Sequence, residues 1–273
     1  MRDDAVMDLS PLDRRGVSMF LFYPRPESGW ESPPASGQAV MIPVDKSVSI
    51  GGFFHMGNPS WPNILFFHGN GEIAADYHDM GQIYNQWKIN FMPVDYRGYG
   101  RSGGSPTVTA MMRDCLVIFD FIRSWLNEKC FNGPLILMGR SLGSASALEL
   151  AFRHTQAIDG LIIESGFAYA APLLRLLGID VQAIGFEEKN GFRNVDKIRL
   201  VDKPVLIIHA ERDHIIPFSD GQALYDACGS RDKTLLKIPG ANHNDLMHRG
   251  FTEYMTAVKT LTARASIAKG IVT

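Results

Sequence analysis

Leu135-Ile136-Leu137-Met138-Gly139-Arg140-Ser141-Leu142-Gly143 is the stretch on which the fold turns. Its first four residues form an unbroken apolar run of strand length and lead straight into Gly139-x-Ser141-x-Gly143. Ser144-Ala145-Ser146-Ala147-Leu148-Glu149-Leu150-Ala151 follows at once and reads as a helix. Strand, tight turn and helix around a central serine make the context of a nucleophile elbow, where the turn holds the serine backbone strained at the tip of a sheet. Glycines two residues to either side have no Cβ, so strand and helix can approach closely. Leu142 N–H lies at the N-terminus of the helix, where a developing negative charge is stabilised. A bare G-x-S-x-G also suits a surface turn; the flanking strand and helix favour the elbow.

Outward from the elbow, strands and helices alternate. Upstream, Pro62 to Phe67 and Phe91 to Val94 are short apolar runs. Helices are expected over Ala74 to Lys88 and Val108 to Asn127. Downstream, Leu161 to Ile163, Pro204 to His209 and Thr234 to Ile238 read as strands. Gly221 to Cys228 and Met247 to Ala263 read as helices. Short, uniformly apolar strands separated by helices indicate a parallel sheet covered on both faces. Ala39 to Val44 and Val48 to Phe54 look like a hairpin around Asp45-Lys46, so the sheet is expected to be mixed, with an antiparallel edge. Val17 to Tyr23 reads as a first strand, and Pro24 to Gly37, rich in Pro, Ser and Gly around Trp30, as a loop.

In a parallel sheet the loops after the strands share one edge, and ligands bind there. Asn70, Ser141, Asp213 and His243 all fall in such loops. A serine hydroxyl is a weak nucleophile until a base takes its proton. His243 is placed to be that base, and Asp213 to accept the other imidazole N–H, fix the tautomer and stabilise the imidazolium. Leu142 N–H and Asn70 N–H are the candidate donors to the oxygen of a tetrahedral intermediate. Each residue has a plainer job open to it: a loop histidine bonded to backbone, an aspartate capping a turn, an asparagine in a left-handed turn. The serine–aspartate–histidine order, all at strand ends, favours the catalytic assignment. Glu164 is the competing acid, and His214 and His248 are competing bases.

Composition narrows the function classes. The 273 residues suit one large α/β domain, and 45% apolar content is ample for its core. A net charge of −2 implies no basic face for nucleic acid. No apolar stretch reaches transmembrane length, and Met1-Arg2-Asp3-Asp4 opens no secretion signal. Cys115, Cys130 and Cys228 have no motif spacing and read as free thiols of a reducing, cytoplasmic compartment. Neither a cofactor nor a metal is expected. A metal-dependent site built on His209, Asp213 and His214 lacks ligand spacing such as H-E-x-x-H.

From Pro62 to His248 the chain resembles the α/β-hydrolase superfamily. The resemblance rests on His68-Gly69-Asn70-Gly71, Asp95-Tyr96-Arg97-Gly98-Tyr99-Gly100, Gly139-Arg140-Ser141-Leu142-Gly143 and Gly240-Ala241-Asn242-His243-Asn244-Asp245. These are most similar to the minimal-lid branch that includes acyl-protein depalmitoylases. The resemblance implies an eight-stranded mixed sheet, Ser141 as nucleophile, Asp213 as acid, His243 as base, an oxyanion hole of Asn70 and Leu142 amides, and a structural role for the Asp95–Gly100 loop. Depalmitoylases of that branch begin with a cysteine-rich targeting segment; Met1 to Phe20 has no cysteine. Residues 1–273 are expected to form one domain, with 166–203 as the room for a small lid. Its apolar set, including Phe167, Leu173, Leu174, Leu176, Leu177 and Ile179, would either pack on the sheet or line an acyl pocket. The expected function is a serine hydrolase of carboxylic esters or thioesters, acting on a small-molecule or acylated substrate. The alternatives are a serine peptidase and a non-catalytic binding protein on the same fold.

Overall fold

The computed structural model describes residues 7–27 and 37–271. Eight strands form one sheet: β1 (Gly37–Pro43), β2 (Ser49–His55), β3 (Asn63–Phe67), β4 (Asn90–Val94), β5 (Leu135–Arg140), β6 (Gly160–Glu164), β7 (Val205–Ala210) and β8 (Lys233–Ile238). Their spatial order is β1-β2-β4-β3-β5-β6-β7-β8. The β1–β2 and β2–β4 pairs are antiparallel, and every later pair is parallel. The mixed sheet with one antiparallel edge is therefore present, and β5, the strand of the elbow, lies inside it.

Strand alternation feeds two cores. In β3, Ile64 and Phe66 point to one face and Leu65 and Phe67 to the other; β5 repeats the division with Ile136 and Met138 against Leu135 and Leu137. The first face is covered by α3 (His78–Gln86) and α10 (Phe251–Ala268), through Tyr84, Tyr254, Met255 and Val258. The second is covered by α4 (Val108–Glu128), α5 (Gly143–Arg153) and α8 (Phe218–Ala227). Burial on both faces explains why these strands are uniformly apolar in sequence. Each fully buried Leu, Ile or Phe contributes roughly 1.5–3 kcal/mol.

The N-terminal segment differs from expectation. Val17 to Tyr23 is not a strand: residues 10–21 form α1 (Ser10–Asp13) and α2 (Arg15–Leu21). The run is apolar enough for a strand, but it pairs with neither edge strand of the sheet, β1 or β8. A helix satisfies its own backbone, as in Ser18 N–H to Arg14 O (2.9 Å) and Phe22 N–H to Ser18 O (3.0 Å). It buries Val17 and leaves Met19 and Phe20 exposed. Asp13 fixes the segment in place, accepting Val108 N–H (2.8 Å) and Thr109 N–H (3.2 Å) at the start of α4, where Thr107 also caps Ala110 N–H. Most of the expected 24–37 loop, Trp30 included, lies outside the described residues.

Between β6 and β7 the chain forms α6 (Ala170–Leu176) and α7 (Asn194–Ile198) joined by irregular turns. Phe167, Leu174, Ile179, Val181 and Phe186 are buried, while Tyr169, Leu176 and Leu177 are exposed. The last helical stretch is broken in two by Gly250, into α9 (Leu246–Arg249) and α10. Among the described residues no helix is long and apolar enough to cross a membrane. All three cysteines are free, with Cys115 and Cys228 buried.

Candidate active site

Ser141 sits in the turn between β5 and α5 with a φ of 50°, the left-handed region that a residue with a Cβ occupies only under constraint. The constraint is visible. Ser141 N–H donates to Glu164 O (2.9 Å) on β6, and its carbonyl accepts Ser144 N–H (3.0 Å) and Ser144 Oγ–H (2.6 Å) from α5. Both flanking glycines are required by contact. A Cβ on Gly139 would lie 2.3 Å from Gly143 O, and one on Gly143 would lie 2.1 Å from Phe67 O. The elbow is thus wedged against the end of β3.

Asp213 follows β7. Its Oδ1 accepts Ile215 N–H (3.0 Å) and Ile216 N–H (2.8 Å), and its Oδ2 accepts His243 Nδ1–H (2.7 Å). Burial works against the charge on Asp213, but the bond from His243 and the two amides outweigh it and hold the carboxyl below its ordinary value. His243 follows β8 in a loop tied by its neighbours: Asn242 N–H donates to Asp245 Oδ1 (2.7 Å) and Asn244 N–H to Asn242 Oδ1 (2.9 Å). The competing residues are engaged otherwise. Glu164 carries Arg140 and Tyr254. His214 and His248 are exposed. His209 is buried beneath Asp213, with Nε2 2.8 Å from Ile216 O, and burial lowers its pKa.

Asn70 follows β3 and is exposed; its Oδ1 accepts Tyr23 N–H (2.8 Å) and Tyr99 Oη–H (2.6 Å). Neither Asn70 N–H nor Leu142 N–H donates to an acceptor among the described residues. The Asp95–Gly100 loop buttresses this corner. Asp95 Oδ1 accepts Ala74 N–H (2.7 Å), Tyr96 Oη–H bonds His68 O (2.7 Å), and Tyr99 holds Asn70.

The four strand-end residues therefore share one edge of the sheet, and Asp213 and His243 are in direct contact. Among the described residues no hydrogen bond joins Ser141 Oγ to the His243 ring; such bonds commonly tighten only with substrate in place.

A second set of residues went unread in the sequence. Arg140 lies behind the elbow and reaches Glu72, Glu164 Oε1 (3.0 Å) and His243 O (2.8 Å). Interior charges look like surface charges in a sequence; the only hint is an arginine inside an otherwise apolar strand end.

The family described as serine aminopeptidase, S33 (Hydrolase_4) matches residues 60–183 and 191–249. Alpha/beta hydrolase domain-containing protein 17B of Homo sapiens is 31% identical, over 74% of this chain and 66% of its own length. Lysophosphatidylserine lipase ABHD12 of Xenopus tropicalis is 31% identical over 70% of this chain and 53% of its own. The chain thus spans between about half and just under two thirds of these relatives. Among solved structures, the esterase Pf2001 of Pyrococcus furiosus superposes with a TM-score of 0.70 at 18% identity, covering 88% of this chain and 98% of that one. A soluble variant of monoglyceride lipase from Saccharomyces cerevisiae gives 0.67 at 20% identity, covering 86% and 97%. At such identities these two likenesses speak for the fold alone.

Proposed function

The chain belongs to the serine aminopeptidase S33 (Hydrolase_4) family of the α/β-hydrolase superfamily, and from that premise we propose that it is a serine hydrolase of carboxylic esters or thioesters. The observation that carries the proposal is the 2.7 Å bond from His243 Nδ1–H to Asp213 Oδ2, on the same sheet edge as a serine held at φ 50°. With Nδ1–H committed to the carboxylate, Nε2 is the basic nitrogen.

In the proposed cycle Nε2 takes the Ser141 proton as Oγ attacks the acyl carbon. The carbonyl oxygen becomes an oxyanion, received by Leu142 N–H and Asn70 N–H. The imidazolium then returns the proton to the leaving alkoxide or thiolate, leaving an acyl-enzyme. Water attacks the acyl carbon while losing a proton to Nε2; as the bond from that carbon to Oγ breaks, the imidazolium gives the proton to Oγ, which releases the acid and restores the Ser141 hydroxyl. One oxyanion donor is typically worth about 3 kcal/mol of barrier. Residues 166–203 act as a small cap, and the large apolar side chains it leaves exposed are Tyr169, Leu176, Leu177 and Leu200, from which an acyl pocket would draw.

A fluorophosphonate probe tests the proposal. Wild type labels and Ser141→Ala does not, and wild type hydrolyses p-nitrophenyl esters with a chain-length optimum. A folded wild type that neither labels nor hydrolyses any ester, thioester or amide of a panel defeats it and favours a binding role for the fold.

A further inference from the structure

The Arg140 side chain is buried to 11% exposure at the end of β5, between two carboxylates, Glu72 (24% exposed) and Glu164 (9%). Its contacts are distributed in a way that core stabilisation does not require. Nη1 donates to Glu72 Oε1. The other oxygen of Glu72 accepts Gly69 N–H (2.6 Å) and Tyr77 Oη–H (2.6 Å). Nη2 donates to the carbonyl of His243 itself (2.8 Å) and lies 3.5 Å from Asn244 Oδ1. Nε donates to Glu164 Oε1 (3.0 Å), while Glu164 Oε2 takes Tyr254 Oη–H (2.6 Å) and its backbone carbonyl takes Ser141 N–H (2.9 Å). One guanidinium therefore touches, directly or through one carboxylate, the loop of the oxyanion donor, the backbone of the nucleophile and the backbone of the base.

The fit is close. A Cβ on Gly69 would come within 2.7 Å of Arg140 Nη1 and 2.9 Å of Glu72 Oε2. Arg140, Glu72 and Glu164 themselves line an open pocket of about 220 Å³ together with Phe66, Tyr84 and Met138. A planar fork with donors at fixed angles can hold three acceptors on three loops at once; a lysine ammonium is a point charge and cannot reproduce that set.

We propose that Arg140 is a positioning residue that sets the spacing between the Asn70 loop, Ser141 and His243, acting through Glu72 and through the His243 carbonyl. The inference rests on the serine-hydrolase reading above. Displacement of catalytic groups by about 1 Å costs about 100-fold in rate. Arg140 is thus expected to act on kcat far more than on substrate binding or global stability.

The test compares full-length wild type, Arg140→Lys, Arg140→Met and Tyr77→Phe, with Ser141→Ala as blank. Steady-state kinetics on p-nitrophenyl acetate, thermal melting and the low-field proton NMR signal of His243 Nδ1–H are measured on each. Arg140→Lys is expected to melt near wild type yet lose about 100-fold in kcat with KM little changed. Arg140→Met should also broaden or remove the low-field signal, because the base loop is released. Tyr77→Phe, which takes only one donor from Glu72, should lower kcat by less and leave KM unmoved. Wild-type kcat in folded Arg140→Lys, or a loss confined to KM, overturns the proposal. So does an undisturbed His243 signal in Arg140→Met, and that readout stands even if wild type turns over no substrate, which would count against the function and not against the positioning role. If Arg140→Met does not fold, Arg140→Lys and Tyr77→Phe decide by the same kinetic criteria.

Discussion

Replacing Asp213 by asparagine is the sharpest probe of the carboxylate–imidazole pair, because the surroundings dictate which way the new amide points. Asp213 Oδ1 already accepts two main-chain amides, Ile215 N–H at 3.0 Å and Ile216 N–H at 2.8 Å. An asparagine NH2 turned towards them would oppose donor to donor, so the amide oxygen stays there and Nδ2 faces His243. The imidazole must then accept at Nδ1 and carry its proton on Nε2, the tautomer that cannot take a proton from Ser141. Loss of the correct tautomer costs about 10⁴-fold in kcat, or about 5 kcal/mol of barrier. Structure is spared, since the substitution is isosteric and both main-chain bonds survive. The assay is steady-state hydrolysis of p-nitrophenyl esters with thermal melting as the control. Asp213→Asn retaining activity within an order of magnitude of wild type, while Glu164→Gln abolishes it, would falsify the assignment of Asp213 as the orienting acid.

Two further predictions concern buried charge. His55 is fully buried against Gly81, with Nε2 3.5 Å from His78 Nδ1, and burial with the neighbouring His78 charge brings its pKa down to about 4. A histidine that protonates more readily unfolded than folded gives stability that is full above its unfolded pKa and lost as pH falls from there towards 4. Denaturant unfolding should therefore show about 2 kcal/mol less stability at pH 5 than at pH 7 from this residue, and His55→Phe should flatten that slope. Lys197 Nζ sits 2.6 Å from Glu149 Oε2 with both side chains buried. Glu149 Oε1 also takes Arg153, so Lys197→Met leaves the buried carboxylate with one half-exposed partner and should cost about 3 kcal/mol in chemical denaturation, and Glu149→Leu in the same chain should restore much of it.

The sheet was legible because strands buried on both faces must be short and apolar, and because the glycines of the elbow answer to a contact that no side chain could share. The strand-end positions of Asn70, Ser141, Asp213 and His243 followed from the same alternation. Val17 to Tyr23 misled because an apolar heptamer says nothing about where the chain around it is held; Asp13, bonded to the start of α4, ties the segment there from a distance in sequence. Glu164 shows the other limit. As a carboxylate at a strand end it stood as the alternative to Asp213, and its bonds to Arg140 and Tyr254, against the bond of Asp213 to His243, set the two apart. Arg140 stayed hidden because two of its partners, Glu72 and His243, lie 68 and 103 residues away along the chain.

The order of the strands also governs when the centre can exist during ribosomal synthesis. Ser141 leaves the exit tunnel a hundred residues before His243, and the imidazole arrives only behind β8, the outermost strand on its side of the sheet. A nascent chain halted anywhere short of that strand carries its hydroxyl without a proton acceptor. On the proposed mechanism the growing polypeptide would therefore be chemically silent towards acyl groups until its final strand has docked.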